Sequence, residues 1–383
     1  MKICIIGHPY ISSTNQEKFS PFKKISKDVE ILLISPTDWH IPSFPSVKLY
    51  TENKEIKIVS LPTMFVGHGG LYFFRSFKLI SIIKIFQPDI IQVDQEPHSL
   101  IYIQTVIAQK IAFPKAKLIF FSWNNLPNLR SFPKNVGVEL LLRIGLKYSD
   151  GAVCGNPDGA KLLKKTGFNK PIEVIPQFGI DSSIYQKINV DEIKKKLGIE
   201  SSFVIGYIGR IIREKGLNTL FESLSGLKMH NWKLLLVGRG EMLMELLSYA
   251  HSHGFKERIV IVDNAFWYDI VPYLNCMDVM VLPSVTVRNW KEQFGRVLIE
   301  AMSCGIPVIG SDSGAIPWVI GDAGLVFPEG NVDKLKANIL NLIQQNFLRQ
   351  KLIQLGKQRV EKEFTKEKIA AKYLDFYSKL LKN

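Results

Sequence analysis

Two stretches of this sequence combine residue types that can hold a phosphate ester and a sugar. The first is Gly209-Arg210 followed by Ile211-Ile212-Arg213-Glu214-Lys215-Gly216. A strand-like run over 203–209 stops there, two cations stand five residues apart, and a helix is expected from Leu217. Arg210 carries a planar fork that clamps phosphate oxygens, and Lys215 adds a compact point charge. A helix N-terminus behind them favours an anion, and the glycines let a ligand come close to the backbone. On its own the pattern suits a surface loop with solvated charges equally well.

The second stretch runs from Glu292-Gln293-Phe294-Gly295 through Glu300 to Cys304-Gly305-Ile306-Pro307-Val308-Ile309-Gly310. With a helix expected from Phe294, Glu292 falls in the loop before it and Glu300 about two turns in. A carboxylate beside a helix start can accept two sugar hydroxyls, while the backbone N–H groups of Phe294 and Gly295 face a phosphate. Two glutamates at this spacing also fit a solvated helix face. Glu300, however, sits among Val297, Leu298, Ile299, Ala301 and Met302, and a carboxylate in apolar company usually has a specific partner.

These residues need rigid elements to hold them. Short runs rich in Val, Ile and Leu, without polar alternation, lie at 2–6, 29–35, 56–60, 89–94, 117–122, 151–154 and 172–175. A second series lies at 203–209, 233–237, 258–262, 279–282, 308–310 and 324–327. Helical spacing appears between them, at 99–112 and 135–148 and again at 217–227, 241–253, 294–303 and 332–345. Runs of this kind are strands covered on both faces, so the pattern predicts α/β architecture with parallel sheets built from βαβ units. The break at 175–181, which contains Pro176 and Gly179, reads as a hinge between two doubly wound domains. The expected division is 1–178, 179–364 and a last helix over 365–383, with Ile369, Tyr373, Phe376, Tyr377 and Leu380 on one face. In such sheets ligands bind beyond the carboxyl ends of the strands, and a cleft between the domains is the expected site.

Composition limits the alternatives. The chain has 383 residues, 46% hydrophobic and 22% charged, which excludes disorder, collagen and coiled-coil rods. Cys4, Cys154, Cys276 and Cys304 are far apart, so a zinc site or disulfide framework is not expected and a reducing compartment is. No signal peptide and no span of about 18 apolar residues is read, which gives a cytoplasmic expectation. The formal charge is +14, with 22 Lys and Arg against 13 Asp and Glu in residues 1–180, and favours anionic partners.

Taken together, the motifs resemble glycosyltransferase family 4, retaining enzymes of GT-B architecture. The resemblance rests on Val204-Ile205-Gly206-Tyr207-Ile208-Gly209-Arg210 with Glu214-Lys215-Gly216, on Leu236-Val237-Gly238-Arg239-Gly240-Glu241, and on Pro283-Ser284 followed by Glu292–Glu300 and Cys304–Ile309 in that order. It implies two Rossmann-like domains facing a cleft and a C-terminal helix that crosses back to the first. It also implies transfer of a hexosyl group, with retention, from a nucleotide diphosphate sugar to a hydroxyl of a glycan or lipid-linked acceptor. UDP is favoured, and GDP-mannose stays open. In that resemblance Arg210 and Lys215 hold the diphosphate, Glu300 the ribose and Glu292 the donor sugar. The backbone at Gly209, Gly238, Phe294 and Gly295 lines the donor, and no metal or other cofactor is required.

The first domain would then carry the acceptor. Its candidates are Gly7 and His8 after the first strand, Asp94, Glu96 and His98 after the fourth, and Asn124 after the next. Relatives often have His where Gln95 stands, so the polar helper near the anomeric carbon is left open among Asp94, Glu96 and His98. The same residues could instead cap the helix expected from Ser99. Residues 71–86 read as a basic amphipathic helix with Arg75, Lys78 and Lys84. Such a helix can pack on a sheet or meet an anionic membrane surface, on its cytoplasmic face in this case. A GT-B epimerase and a non-catalytic nucleotide-sugar or anion-binding protein are the alternatives. Nucleic acid is not an expected partner, because no recognition motif accompanies the charge.

Overall fold

A computed structural model describes residues 1–40, 47–53, 55–127, 136–227, 229–263 and 269–382. The ends of two expected helices, Asn135 and Asn383, lie outside the described residues. The chain forms two compact units: unit 1 holds Met1–Gly179 and Lys366–Asn383, and unit 2 holds Ile180–Thr365.

Unit 1 is built on seven parallel strands: β1 (Lys2–Ile6), β2 (Glu30–Pro36), β3 (Lys57–Leu61), β4 (Ile90–Val93), β5 (Lys117–Ser122), β6 (Gly151–Cys154) and β7 (Ile172–Val174). Their order is β3-β2-β1-β4-β5-β6-β7. Alternate residues feed two separate cores. Cys4, Ile6, Leu32, Ile34, Val93 and Phe120 face one side with Leu79, Ile83 and Tyr102 from the helices there. Ile3, Ile5, Leu33, Ile119 and Val153 face the other with Phe19, Phe22, Tyr373 and Tyr377. Because both faces are covered, the strands show no polar alternation. The second core includes the last helix, Lys366–Lys382, through Ile369, Tyr373, Phe376, Tyr377 and Leu380.

Unit 2 contains six parallel strands: β8 (Phe203–Ile208), β9 (Trp232–Val237), β10 (Ile259–Val262), β11 (Val279–Leu282), β12 (Val308–Ser311) and β13 (Leu325–Phe327). Their order is β10-β9-β8-β11-β12-β13. In both units the strand order reverses beside the first strand, between β1 and β4 and between β8 and β11. Strands on either side of that point send their connections to opposite faces, which opens a crevice at their carboxyl ends.

Three expectations are corrected. The helix carrying Glu300 is Arg296–Ser303, not a helix from Phe294, because Gly295 takes the left-handed conformation ahead of it. Glu300 is therefore about one turn in. Residues 71–86 are not one helix: Phe73–Phe74 pairs with Thr63–Met64 in a hairpin, and the helix is Lys78–Phe86. Finally, helices Pro157–Lys165 and Asn346–Glu363 are present where no element was expected.

Candidate functional site

In unit 2 the loops after β8, β9 and β11 meet backbone to backbone, and two glycines make that approach feasible. A Cβ on Gly238, where φ is +140°, would lie 2.0 Å from the carbonyl oxygen of Gly209. One on Gly216, where φ is +65°, would lie 2.0 Å from that of Pro283. No other residue fits either place. The Gly209 N–H donates to Val237 O at 3.0 Å and the Val285 N–H to Glu214 O at 2.9 Å, which ties the three loops together.

Charged side chains gather where the loops join. Lys215 Nζ lies 2.6 Å from Glu292 Oε2, and Ser284 Oγ donates to the same oxygen at 2.8 Å. The ammonium also lies 4.8 Å from the centre of the Trp290 ring. These side chains are largely covered, Lys215 at 15% exposure and Glu292 at 9%. A half-buried pair of this kind is screened far less than a surface ion pair. Arg210 is exposed, and its side chain has no hydrogen bond or ion pair among the described residues. Its carbonyl accepts from the Tyr207 hydroxyl at 2.6 Å, which fixes the backbone on which the guanidinium is mounted.

Glu300 has the specific partners that its apolar neighbours called for. Arg296 Nε lies 2.8 Å from Glu300 Oε1, one helical turn earlier, and the Tyr185 hydroxyl bonds the same carboxylate. Burial raises the carboxyl's pKa, and Arg296 and Tyr185 offset part of that rise. Phe294 turns its ring into the core against Phe364 and Trp318, at 5.8 and 6.1 Å. Gly295 then leads into the helix, so backbone rather than side chain is presented at this corner.

In unit 1 the residues named from sequence separate into three groups. Gly7 and His8 follow β1 at its switch point. His8 stacks on Trp39 at 4.3 Å, and its Nδ1 pairs with Gln95 Nε2 at 2.9 Å. Burial lowers the imidazole's pKa to about 4, with Asp94 opposing, so His8 is neutral at pH 7. Asp94 is buried inside the unit rather than open to a ligand. It accepts from Tyr10, from Gln92 at 2.6 Å and from Gln177 at 3.1 Å, and Lys18 lies 3.8 Å away. Burial lowers the Lys18 pKa to about 8, against the pull of Asp94. Glu96, His98 and Asn124 come together along a pocket of about 100 Å³ with Ser122 and Leu163. Glu96 accepts from Ser122 Oγ at 2.9 Å and from the Asn124 N–H at 3.3 Å, and burial lifts its pKa to about 7. The residue that caps the following helix is none of Asp94, Glu96 and His98. It is Ser99, accepting from the Tyr102 N–H.

Sequence reasoning did not name Tyr185, Trp290 or Ser284 as site residues, nor Tyr10, Lys18 and Gln177 as partners of Asp94. Tyr10, Lys18 and Gln177 reach Asp94 from more than seventy residues away, and Tyr185 reaches Glu300 from more than a hundred. No local spacing announces such contacts. Ser284 was visible only as part of the Pro283-Ser284 pair.

Comparison with known proteins bears directly on this geometry. Residues 189–359 match the family described as glycosyl transferases group 1. N-acetyl-alpha-D-glucosaminyl L-malate synthase of Bacillus anthracis is 28% identical over 63% of this chain and 63% of its own length. The capsular polysaccharide biosynthesis glycosyltransferase CapM of Staphylococcus aureus is 30% identical over 54% of this chain and 55% of its own. The chain thus spans less than two thirds of either relative. Among solved structures, Anabaena Alr3699/HepE in complex with UDP superposes with a TM-score of 0.77 at 18% identity, covering 99% of this chain and all of that one. A likeness of that kind shows the fold, which is the GT-B arrangement of two parallel-sheet α/β domains.

Proposed function

From the match of residues 189–359 to the group 1 glycosyl transferases, we propose that the chain transfers a hexosyl group from a nucleotide diphosphate sugar to a hydroxyl of a glycan or lipid-linked acceptor, with retention at the anomeric carbon. UDP is the favoured carrier, in keeping with the UDP named for the Anabaena structure.

The observation that carries this reading is the Lys215–Glu292–Ser284 cluster at the switch point of unit 2. The leaving diphosphate gathers negative charge as the sugar departs. Lys215, held in place by Glu292 and flanked by Trp290, offers a fixed cation to it, and Arg210 supplies a mobile bidentate one. Positive groups set in advance cost no reorganisation during reaction, which is why such electrostatic stabilisation is commonly a large term. Two cations on the diphosphate make a metal ion unnecessary in this reading. The backbone of Gly209 and Gly238 lines the phosphates, and that of Phe294 and Gly295 faces the donor. Glu300 accepts from the ribose hydroxyls once Arg296 swings aside, and Glu292 serves both Lys215 and the sugar. In unit 1, His8, Glu96, His98 and Asn124 are the groups offered to the acceptor. His8 acts as a neutral hydrogen-bonding imidazole, and the carboxyl of Glu96, near 7, is able to share a proton.

The acceptor is proposed to be membrane-borne. Phe77 and Ile85 are 87% and 83% exposed beside Lys78 and Lys84, and the neighbouring helix Leu100–Ala112 exposes Ile107 and Ile111 beside Lys110. Apolar side chains ringed by lysines suit the interface of an anionic bilayer. No described helix is long and apolar enough to cross a membrane.

The test is a panel of UDP- and GDP-sugars scored by thermal shift and by donor hydrolysis. One sugar nucleotide should raise the melting temperature, since a ligand of the folded state stabilises it, and should be turned over by the wild type but not by Lys215→Ala. Equal turnover by Lys215→Ala would remove the proposed role.

A further inference from the structure

A second concave site lies within unit 2, at the amino ends of β11 and β12. Gly209, Lys215 and Ser284 belong instead to the carboxyl ends of that sheet. The cavity measures about 410 Å³ and takes its charged lining from Lys187, Arg349, Lys357 and Asp278. Three cations therefore face one carboxylate, Asp278, whose Oδ2 accepts from the Val204 N–H at 2.8 Å and whose single negative charge leaves the lining net positive. Arg349 is fixed by hydrogen bonds to the Ile343 carbonyl and to Asn346, both at 3.1 Å. Neutral acceptors orient its charge without cancelling it. Lys187 and Lys357 have no ion pair among the described residues. The pKa of Lys187 is lowered, first by partial desolvation at the cavity wall and then by the nearby positive charge of Lys194, with Asp278 opposing and Lys357 adding to the fall. Cys304, which also lines the cavity, is a thiol whose pKa burial pushes up to about 12, so it adds no negative charge.

We infer that this cavity is an anion-binding site that takes the phosphate group of a small phosphorylated molecule. A hollow with uncancelled positive charge gains from an anion, because each lysine trades repulsion from its neighbours for a charge-assisted hydrogen bond. The volume falls in the range of small-molecule sites, so a polymer is not the ligand. The amide of Gln350 in the same wall adds donors for the remaining phosphate oxygens. This site does not depend on the glycosyltransferase reading, which rests on the other edge of the sheet.

Inorganic pyrophosphate is the probe, titrated calorimetrically into the full chain, into Lys187→Ala/Lys357→Ala and into Arg210→Ala/Lys215→Ala. Lys187 and Lys357 are exposed, so the first variant should fold normally, and its melting curve checks that. The expected result is a binding event that survives in Arg210→Ala/Lys215→Ala and weakens about tenfold or more in Lys187→Ala/Lys357→Ala. Unchanged stoichiometry and affinity in the Lys187→Ala/Lys357→Ala protein would overturn the inference, as would the absence of any pyrophosphate binding by Arg210→Ala/Lys215→Ala. Loss of donor turnover in Arg210→Ala/Lys215→Ala alone bears only on the transfer reading.

Discussion

Lys215 and Glu292 illustrate what single residues can and cannot disclose. Both were visible in the sequence as chemistry-bearing types at suggestive places. That they belong to one cluster depends on a sequence separation of 77 and on a fold that closes three loops. Trp290 and Ser284 complete the cluster, and their types alone carry no such message. Asp94 shows the converse. Its type and place were legible, but its destination was not: the carboxylate serves Tyr10, Gln92, Gln177 and Lys18 within unit 1. His8 yields a prediction at this scale. Its imidazole is held near 4 in the folded protein, against about 6.5 in an unfolded chain. As pH falls below about 6.5 the unfolded chain takes up the proton first. The folded state therefore keeps its full stability above that pH and loses part of it between about 6.5 and 4. Urea unfolding of wild type and His8→Asn across pH 4–7 should show the variant losing less stability on the acid side. Glu96 titrates in the same range with the opposite sign but is common to both proteins. Parallel curves would mean that His8 is not buried as described.

At the scale of elements the sequence was most informative where burial is two-sided. The runs that form β1, β5, β6 and β11 begin and end where hydrophobic continuity begins and ends, because both faces of each sheet are covered. Elements with little burial were hidden. Helix Asn346–Glu363 buries only Leu352, Gly356 and Val360, so its apolar stripe is too thin to stand out among eighteen residues. The start of the Glu300 helix was displaced because Gly295 adopts a left-handed backbone, a choice that glycine permits but does not announce. The loop contact at Gly238 carries a prediction of its own. Gly238→Ala puts a methyl 2.0 Å from the Gly209 carbonyl oxygen, whereas Gly254→Ala, also at positive φ, meets no atom within 4 Å. The first should cost at least about 2 kcal/mol more than the second, the range of overpacking penalties, as measured by urea denaturation. Equal costs would show that the β8 and β9 loops are not packed backbone to backbone.

Across the whole molecule, the chain builds most of unit 1, makes unit 2 without interruption, and returns to complete unit 1 with Lys366–Lys382. The Tyr377 hydroxyl donates to Gln92 at 2.6 Å, and Lys366 pairs with Glu17 at 2.6 Å, so the last helix is an integral layer of the first sheet. The positive charge is also a property of the whole. If the exposed Phe77 and Ile85 with their lysines rest on a bilayer, vesicles containing anionic lipid should retain the protein, salt should release it, and Phe77→Asp/Ile85→Asp should abolish retention. Retention indifferent to lipid charge would exclude that surface. The claim on which the rest depends is that the β8–β11 crevice of unit 2 receives a nucleoside diphosphate. A crystal of the full chain soaked with UDP tests it most directly. The expected density places the diphosphate within hydrogen-bond reach of Arg210 and Lys215, with the ribose hydroxyls on Glu300. Density for the nucleotide elsewhere, with those three side chains unengaged, would contradict it.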